Sequence, residues 1–547
     1  MFKQRCFRLL LLASAIATSL SASAYDFESA GIYYNITGDN TVEVTYSDIN
    51  NNTYYSGSIS VPKTVTNNGT EYSVTKIGEY AFQGSAVTSV SMPESITSIG
   101  RYACNECGSL ETVVLPTNLD DFSGWCIFRN CRNLKNIAIP ENVTEIPNGT
   151  FINCSSLAAI TIPQGVSEIG SNAFYGCSSL TSIEIPEGVK YLYEQVFYGC
   201  TALESVKLPQ NLLQIGNYCF DGCSSLESVT IPEGVTTIGD CAFYGCNLNA
   251  LTLPESLTTL GSNAFYSCKS LKTIKIPSGV TTIHYQCFNG CSSLESVTIP
   301  EGVTAIEAYA FGSCNLNALK LPESLTTLGS NAFESCKSLK TIKIPSGVTT
   351  IPDQCFDGCS SLESVTIPEG VTAIEAYAFG SCNLNALKLP ESLTTLGSNA
   401  FESCKSLKTI KIPSGVTTIP FRCFYGCSSL ESVTIPEGVT TIREHAFLSC
   451  NLKELTLPES LETIGRYAFE DNRSLKSVNI PAKVKTIETQ AFYGCGLTDL
   501  VIPEGVQAIG SHAFYDNLLE NLTLPSTITS IGNEAFCYNN PLVELKF

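Results

Sequence analysis

Apolar residues recur along this chain in groups that return every 22 or 23 residues, and each group ends in an apolar residue followed by proline. In one representative repeat, Val229 and Ile231 alternate with polar residues, which is the pattern of a half-buried β-strand. Pro232 then ends the strand, because proline has no backbone N–H to donate to the ladder. The spacing predicts one short strand in front of each proline. These prolines are Pro93, Pro116, Pro140, Pro163, Pro186, Pro209, Pro232, Pro254, Pro277, Pro300, Pro322, Pro345, Pro368, Pro390, Pro413, Pro436, Pro458, Pro481, Pro503 and Pro525.

The remainder of each repeat predicts a coil that returns to its starting side. In the same unit Val235 and Ile238 point inward again, Phe243 closes the coil and Cys246 ends it. One coil buries too little apolar surface to fold alone, so copies must stack and share a core. We therefore predict a repeat solenoid over residues 76–547, β-rich with short helical or irregular convex segments. It should be right-handed and curved, with about 21 coils extending roughly 100 Å along the stacking axis.

Residues 25–75 precede the regular repeats and predict a small β-rich N-terminal cap. Two candidate strands, 32–36 and 42–46, flank the sequence Thr-Gly-Asp-Asn at 37–40, which is a hairpin signal. A cap is expected because the first coil would otherwise expose its core to water.

The repeat resembles the BspA-like leucine-rich repeat family of Bacteroides and Treponema relatives. The family pattern I-P-x-x-V-x-x-I-G-x-x-A-F-x-x-C-x-x-L-x-x-V is met almost literally at residues 185–206 and 231–251, and the similarity covers about residues 76–547. The opening stretch 26–36 also looks like the start of Bacteroidetes members. The resemblance implies a leucine-rich repeat fold and an adhesin that binds host extracellular matrix proteins or other bacteria.

Residues 1–24 are typical of a secretory signal peptide. Lys3, Arg5 and Arg8 supply a positive start, residues 9–16 are apolar, and the small residues at 22–24 form a cleavage site. The apolar stretch is too short for a permanent membrane span. We predict export to the cell surface or the medium, with cleavage after Ala24.

The net charge argues against two classes of partner. The whole chain carries a formal charge of −20, and loss of the signal peptide, which holds three basic and no acidic residues, makes it −23. So acidic a surface repels nucleic acid and anionic membranes. We expect no nucleic-acid partner and no insertion into a membrane.

Nothing in the sequence points to catalysis. There are only three histidines, and none accompanies the recurrent Cys-Ser-Ser-Leu motif as a base for a nucleophile. Glu233, Glu301 and Glu369 recur after proline as a solvated edge, and no carboxylate pair is set apart as a glycosidase requires. We expect neither an enzyme nor a bound cofactor.

Most cysteines fall on one repeat position, as Cys246 does, and predict a buried thiol ladder that packs as small apolar side chains. Neighbouring coils would place their Cα atoms close enough for disulfides, but parallel side chains hold the Cβ atoms too far apart. Intracoil disulfides or thiolate metal sites are the alternative for a second set, although no closed four-ligand spacing is present. That set is Cys219, Cys287, Cys355 and Cys423.

A row of lysines on the strands is the first candidate binding surface. The residue two before each proline should face away from the core on the concave sheet, where lysine alternates with threonine. Lysine at this place keeps a flat sheet soluble; alternatively, it forms a groove for an acidic protein segment or an anionic glycan. The lysines are Lys207, Lys275, Lys320, Lys343, Lys388 and Lys411.

A variable outer patch is the second candidate surface. Residues 297–364 and 365–432 are identical except for Asp353/Phe421, Gln354/Arg422 and Asp357/Tyr425, and Tyr285 occupies the place of Asp353 in the preceding block. Aromatic and arginine side chains are the usual anchors of protein interfaces. Drift at a solvent-facing turn after duplication is the alternative explanation. The hypothesis is that Tyr285, Phe421, Arg422 and Tyr425 form a diversified contact surface.

Together these observations predict an exported leucine-rich repeat protein that binds other proteins and adheres to host matrix or to other microbes. Two alternatives remain: a glycan-associated or envelope-associated binding module, and a periplasmic scaffold without an external ligand.

Overall fold

The structure, a computed structural model, describes residues 24–47 and 55–546. It divides into two compact units, residues 1–190 with 195–203 (unit 1) and residues 191–194 with 204–547 (unit 2). The predicted signal peptide lies outside the described residues, apart from Ala24.

Unit 1 begins with a small sheet in the region predicted as the cap. Ile32–Gly38 and Thr41–Thr45 form the predicted antiparallel hairpin, and Phe27–Ser29 pairs with its first strand. Thr64–Asn67 and Thr70–Ile77 form a second antiparallel pair, and the latter strand also runs parallel to Thr41–Thr45. This parallel pairing joins the hairpin to the first coil.

Buried tyrosines close the core at this end of unit 1. Tyr55 is almost fully buried, and its hydroxyl donates to the carbonyl of Thr45 at 2.7 Å while accepting the N–H of Tyr33 at 2.9 Å. Its ring lies 5.1 Å from that of Phe82, which belongs to the first coil. Tyr55 therefore packs against the apolar face of that coil.

The predicted strand in front of proline is present in many coils, and we call the row of these strands the first ladder. Neighbouring strands pair in parallel, so that Ile342 stands beside Val365 on the buried face. In unit 1 the strands are Ser56–Ser60, Ala86–Ser91, Thr112–Val114, Asn136–Ile137 and Ser182–Glu184. In unit 2 they are Ser205–Lys207, Thr273–Lys275, Ser296–Thr298, Thr341–Lys343, Ser364–Thr366, Thr409–Lys411, Ser432–Thr434, Glu454–Thr456, Asp499–Val501, Asn521–Thr523 and Glu544–Lys546.

A second row of parallel strands, the second ladder, was not predicted. Apart from Thr70–Ile77, each strand has two residues, the second of which is buried except at Ile531. Ile351 stands beside Ile374 in register. In unit 1 this ladder contains the end of Thr70–Ile77, followed by Ser98–Ile99, Glu145–Ile146 and Glu168–Ile169. In unit 2 it contains Tyr191–Leu192, Gln214–Ile215, Thr237–Ile238, Thr259–Leu260, Thr282–Ile283, Ala305–Ile306, Thr327–Leu328, Thr350–Ile351, Ala373–Ile374, Thr395–Leu396, Thr418–Ile419, Thr441–Ile442, Thr463–Ile464, Thr486–Ile487, Ala508–Ile509 and Ser530–Ile531.

The third segment of each coil, between the second ladder and the cysteine, consists of turns. Of the predicted short helical or irregular segments the irregular form is present, and the described residues contain no helix. The reason is visible around Phe311, where Tyr309 and Ser313 both have left-handed backbone angles, with φ of 58° and 57°. The N–H of Phe311 consequently donates to Ala332 of the next coil at 2.9 Å instead of to its own chain four residues back. Since no helix is present in this part of the chain, none there could cross a membrane.

A column of phenylalanine rings fills the centre of each unit. Phe333 and Phe356 are fully buried, with ring centroids 5.4 Å apart and planes 9° apart, in an offset stack. The same contact joins Phe128, Phe151, Phe174 and Phe197 in unit 1. In unit 2 it runs through Phe220, Phe243, Phe265, Phe288, Phe311, Phe333, Phe356, Phe379, Phe401, Phe424, Phe447, Phe469, Phe492, Phe514 and Phe536.

The predicted cysteine ladder lies beside this column and is buried. The thiol of Cys359 donates to the carbonyl of Phe333 in the preceding coil at 3.2 Å, so it bonds between coils as well as packing. Burial raises the pKa of the Cys336 thiol to about 12. Cys355 and Cys423 of the second set are also buried free thiols. The same thiol-to-carbonyl bond is made by Cys154, Cys177, Cys200, Cys246, Cys268, Cys291, Cys314, Cys336, Cys382, Cys404, Cys427, Cys450 and Cys495.

Asparagine takes the place of cysteine in three coils of unit 2. Asn472 is fully buried, and its amide nitrogen donates to the carbonyl of Phe447 at 2.8 Å, the bond that a thiol makes elsewhere. Its amide oxygen also accepts the N–H of Leu452 at 3.1 Å. Asn517 and Asn539 make the equivalent bonds. The amide nitrogen of Asn472 also donates to the carbonyl of Phe469 at 2.9 Å, so asparagine continues the ladder with additional hydrogen bonds.

We predict that thiol reactivity in the native protein follows burial. Cys537 is exposed, Cys126 is partly buried, and burial raises the pKa of ladder thiols, so little thiolate is available for attack at neutral pH. Iodoacetamide labelling read out by peptide mass spectrometry should modify Cys537 first and the ladder only after unfolding. Rapid labelling of Cys359 in the native state would contradict the ladder.

We also predict that Asn472→Ala destabilises the protein by about 2 kcal/mol, because Leu452 loses its acceptor and Phe447 loses its donor in a buried place. The measurement is the shift in the urea unfolding curve. Asn472→Cys is the matched control. It restores a donor to the carbonyl of Phe447 and should reduce the free energy of unfolding by less than Asn472→Ala does. Equal stability of Asn472→Ala and the unchanged protein would show that these bonds contribute nothing.

Candidate binding surfaces

The six lysines predicted from the sequence are exposed, and we call them the lysine stripe. Lys343 lies on a first-ladder strand beside Thr366 of the next coil. Lys320 and Lys388 differ from the expectation, since in their coils this segment is not a strand. The stripe belongs to unit 2 and consists of Lys207, Lys275, Lys320, Lys343, Lys388 and Lys411.

Glutamates from the preceding coil neutralise much of this stripe. The glutamate that follows proline in one coil reaches the lysine that precedes proline in the next, and the contact repeats every 68 residues. The pairs are Lys275–Glu255 at 2.5 Å, Lys343–Glu323 at 2.6 Å and Lys411–Glu391 at 2.6 Å. Lys388 also lies 3.6 Å from Glu369. The hydrogen bond from Lys343, followed by its charge, lowers the pKa of Glu323. Four of the six lysines of the stripe are consequently held in ion pairs.

The glutamates after proline have a second contact that the sequence did not suggest. A carboxylate oxygen of Glu301 accepts the backbone N–H of Glu323, in the next coil, at 2.9 Å, and Glu369 accepts that of Glu391 at the same distance. These residues were interpreted as a solvated edge. They are exposed, and they also bond one proline turn to the next.

Three members of the variable outer patch lie together. The guanidinium carbon of Arg422 stands 5.2 Å from the ring centre of Phe421 and 4.8 Å from that of Tyr425, both within the range of a cation–π contact. Phe421 and Tyr425 are half-buried. Arg422, which has φ of 53°, is half-buried and lies against both rings. The structure thus holds the arginine in one orientation by aromatic contacts.

Tyr285 is not part of this cluster. It lies two 68-residue blocks earlier at the equivalent position and has 43% of its surface exposed. Its N–H donates to Glu307 at 2.9 Å, and its ring meets Tyr309 edge-on at 6.2 Å. The four residues of the predicted patch therefore form two separate surfaces, one at Tyr285 and one at Phe421.

Sequence reasoning missed the residues of the next two coils that extend the cluster. His445 meets Phe421 edge-on at 5.7 Å and stacks on Tyr467 at 4.7 Å with nearly parallel planes. Desolvation, together with the nearby charge of Arg422, lowers the pKa of His445 against the opposing effect of Glu444. We call Phe421, Arg422, Tyr425, His445 and Tyr467 the aromatic patch. A comparison of the residue two positions before the phenylalanine of each repeat would have found Arg422, His445 and Tyr467 in successive coils.

A groove with a volume of about 420 Å³ opens beside Phe421. Arg443 and Arg466 line it together with Glu444 and Glu488. Arg466 and Glu488 approach to 3.8 Å, a loose and exposed pair. The aromatic patch is therefore bordered by a rim of both charges, which is the usual arrangement of a protein-binding surface.

No metal centre is apparent within residues 24–47 and 55–546, where no three His, Cys, Asp or Glu side chains converge to hold an ion. The thiols of the ladder donate hydrogen bonds to backbone carbonyls and lie buried in the core.

Comparison with known proteins identifies the repeats. The sequence profile of the BspA type leucine rich repeat region matches six overlapping stretches: 47–165, 144–272, 213–340, 258–382, 349–476 and 462–547. No curated protein matches the chain.

Solved leucine-rich repeat proteins of several bacteria are similar to it. One from Bacteroides ovatus is 30% identical over 83% of this chain and 100% of its own, with a TM-score of 0.47. A leucine rich cell surface protein of Faecalibacterium prausnitzii is 27% identical over 75% of this chain and 94% of its own, with a TM-score of 0.37. The leucine rich repeat protein of T. pallidum is 28% identical over 37% of this chain and 90% of its own, with a TM-score of 0.31.

We predict that the ion pairs suppress binding of anions to the lysine stripe. Replacing Glu255, Glu323 and Glu391 by glutamine removes the partners of three lysines, so retention on a heparin column should extend to higher salt than for the unchanged protein.

A control variant with the same net charge carries glutamine at Glu106, Glu141 and Glu168, which are exposed residues of unit 1. If both variants shift equally, total charge explains the retention and local pairing does not.

Proposed function

The chain belongs to the BspA-type leucine-rich repeat family, and we propose that it is a non-enzymatic protein of the bacterial surface that binds other proteins, in adhesion to host extracellular matrix or to other microbes. Two kinds of observation support this proposal. The signal-peptide pattern before Tyr25 supports export, and the family resemblance supports adhesion.

The observation that carries the proposal is the contrast between two nearly identical blocks. Among 68 positions only three differ, and all three differences place aromatic or arginine side chains in one cluster, at Phe421, Arg422 and Tyr425. Aromatic and arginine side chains are enriched where interfaces gain most of their energy. Their mutual contacts fix Arg422 before a partner arrives, which lowers the entropic cost of binding.

The lysine stripe offers a second, weaker surface to an acidic segment of a partner. Such a segment has to displace Glu323 from Lys343 and the equivalent glutamates from their lysines, so binding exchanges one ion pair for another. The aromatic patch requires no such exchange, and we propose it as the principal contact surface.

We predict that the triple variant Phe421→Asp, Arg422→Gln, Tyr425→Asp lowers the affinity for the protein partner about tenfold or more, because it removes three anchoring side chains. The variant copies Asp353, Gln354 and Asp357 of the preceding block, so the same framework already accommodates these residues. Binding is measured by surface plasmon resonance on immobilised basement-membrane extract and by attachment to whole bacterial cells.

The matched control replaces Asp353 and Asp357 by asparagine, at the same positions one block earlier, and should bind like the unchanged protein. Thermal unfolding of all variants verifies that they are folded. If the triple variant keeps full affinity for each target bound by the unchanged protein, or if the unchanged protein binds no target, the proposal is wrong. Protease treatment of intact cells separates surface display, where the chain is cleaved, from a periplasmic scaffold, where it is protected.

A further inference from the structure

Unit 1 contains the one coil in which successive prolines are 24 residues apart, between Pro116 and Pro140. The additional residue is Ser123, which follows the point where the buried Phe122 replaces the isoleucine of other coils. The carboxylate of Asp121 accepts both the N–H of Ser123 at 3.0 Å and its hydroxyl at 2.5 Å. The extra residue is therefore held in a defined conformation.

This coil borders a groove of about 310 Å³. Trp125, the only tryptophan of the chain, stands at its edge with 57% of its surface exposed. Tryptophan is a largely buried residue type in most proteins. Here the indole takes the place that Arg101 holds in the preceding coil and Asn148 in the next, and it borders a groove whose other lining is mostly polar. The polar lining consists of Lys76, Glu79, Ser98, Arg101, Asp121 and Ser123.

Basic and acidic side chains both line this groove, and their charges offset each other. The guanidinium of Arg101 lies 3.0 Å from the carboxylate of Glu79, and Lys76 lies 3.3 Å from Glu43. Asp121 accepts a further hydrogen bond from the hydroxyl of Ser98 at 3.0 Å, and hydrogen bonding, first from Ser123, lowers its pKa. An anionic ligand would meet two carboxylates, and a cationic ligand two basic groups. The groove therefore favours an uncharged ligand.

We infer that this groove binds a neutral saccharide. A pyranose ring has one apolar face of C–H groups, which fits against the indole of Trp125, and a rim of hydroxyls that both donate and accept hydrogen bonds. Asp121 and the oxygen of Ser98 remain acceptors through their other lone pairs, whereas Arg101 supplies donors. The volume is at the lower end of the range for small-molecule sites, which suits a short glycan.

This saccharide site is independent of the proposed protein-binding function. It lies in unit 1 and shares no residue with the aromatic patch of unit 2. Loss of either activity would leave the other intact.

The single tryptophan allows the site to be tested directly in the full chain. Because Trp125 is the only indole, its emission reports on this groove alone. The probes are galactose, glucose, mannose, N-acetylglucosamine and lactose, with sorbitol as a polyol that has no ring and N-acetylneuraminic acid as a charged sugar. At least one neutral sugar should change the emission saturably and protect the indole from iodide quenching, and sorbitol should do neither.

Variants of the lining residues separate a built site from nonspecific quenching. Arg101→Gln and Asp121→Ala should each weaken sugar binding up to about tenfold, since each removes a hydrogen-bonding group. Trp125→Ala should abolish binding in calorimetry, whereas Trp125→Phe should retain part of it. Arg443→Ala, in unit 2, is the control and should have no effect. Thermal unfolding of each variant identifies any that fail to fold, and Arg101→Gln changes only exposed groups, so it tests the site even if Asp121→Ala does not fold.

The inference is wrong if no neutral sugar gives a saturable change in emission, if only N-acetylneuraminic acid does so, or if calorimetry gives the same affinity for Arg101→Gln and Trp125→Ala as for the unchanged protein. A signal elicited equally by sorbitol would also overturn it.

Discussion

Each coil of this protein leaves polar backbone groups that only the next coil can satisfy. Phe311 illustrates the constraint: its N–H donates forward to Ala332, and its carbonyl receives the thiol of Cys336. Both bonds form only if the phenylalanine rings of successive coils are stacked in register. The column of rings, the cysteine ladder and the two strand ladders are thus consequences of the same stacking. An individual coil has no stable structure of its own under this constraint.

The sequence predicted those parts of the coil in which the pattern of residue types extends over enough positions to be recognised. Apolar and polar residues alternate before each proline, and the buried cysteines repeat, so the pre-proline strand of many coils and the cysteine ladder could be predicted. Around Val229 itself only an isolated bridge forms, at Ser228. The second ladder could not be predicted, because two residues such as Thr350 and Ile351 are too few to show an alternation. The short helical segments that were one expectation do not form, because Tyr309 and Ser313 adopt left-handed backbone angles. Glycine in a sequence indicates that conformation, whereas tyrosine and serine do not.

The candidate sites were predicted less completely for a related reason. That Lys343 is exposed follows from strand alternation, but its pairing with Glu323 depends on the offset between coils, which is known only from the structure. Comparison of the duplicated blocks found Phe421 and Arg422, but it could not find His445 or Tyr467, which lie in later coils outside those blocks. The aromatic patch and the saccharide groove both lie next to the segment between the second ladder and the phenylalanine. Side chains can change there without disturbing the column of rings, so new contacts can arise on a constant framework.

The near-identity of residues 297–364 and 365–432 has a consequence for how such a chain evolves. Deleting 365–432 would join Ser364 to Val433, recreating the Ser-Val junction that already exists at both places. Three coils would be lost, and the rings, thiols and strands on either side would meet the same partners as before. Recombination between the copies can therefore lengthen or shorten the chain in steps of 68 residues. The number of coils can change in this way while the packing between neighbouring coils stays the same.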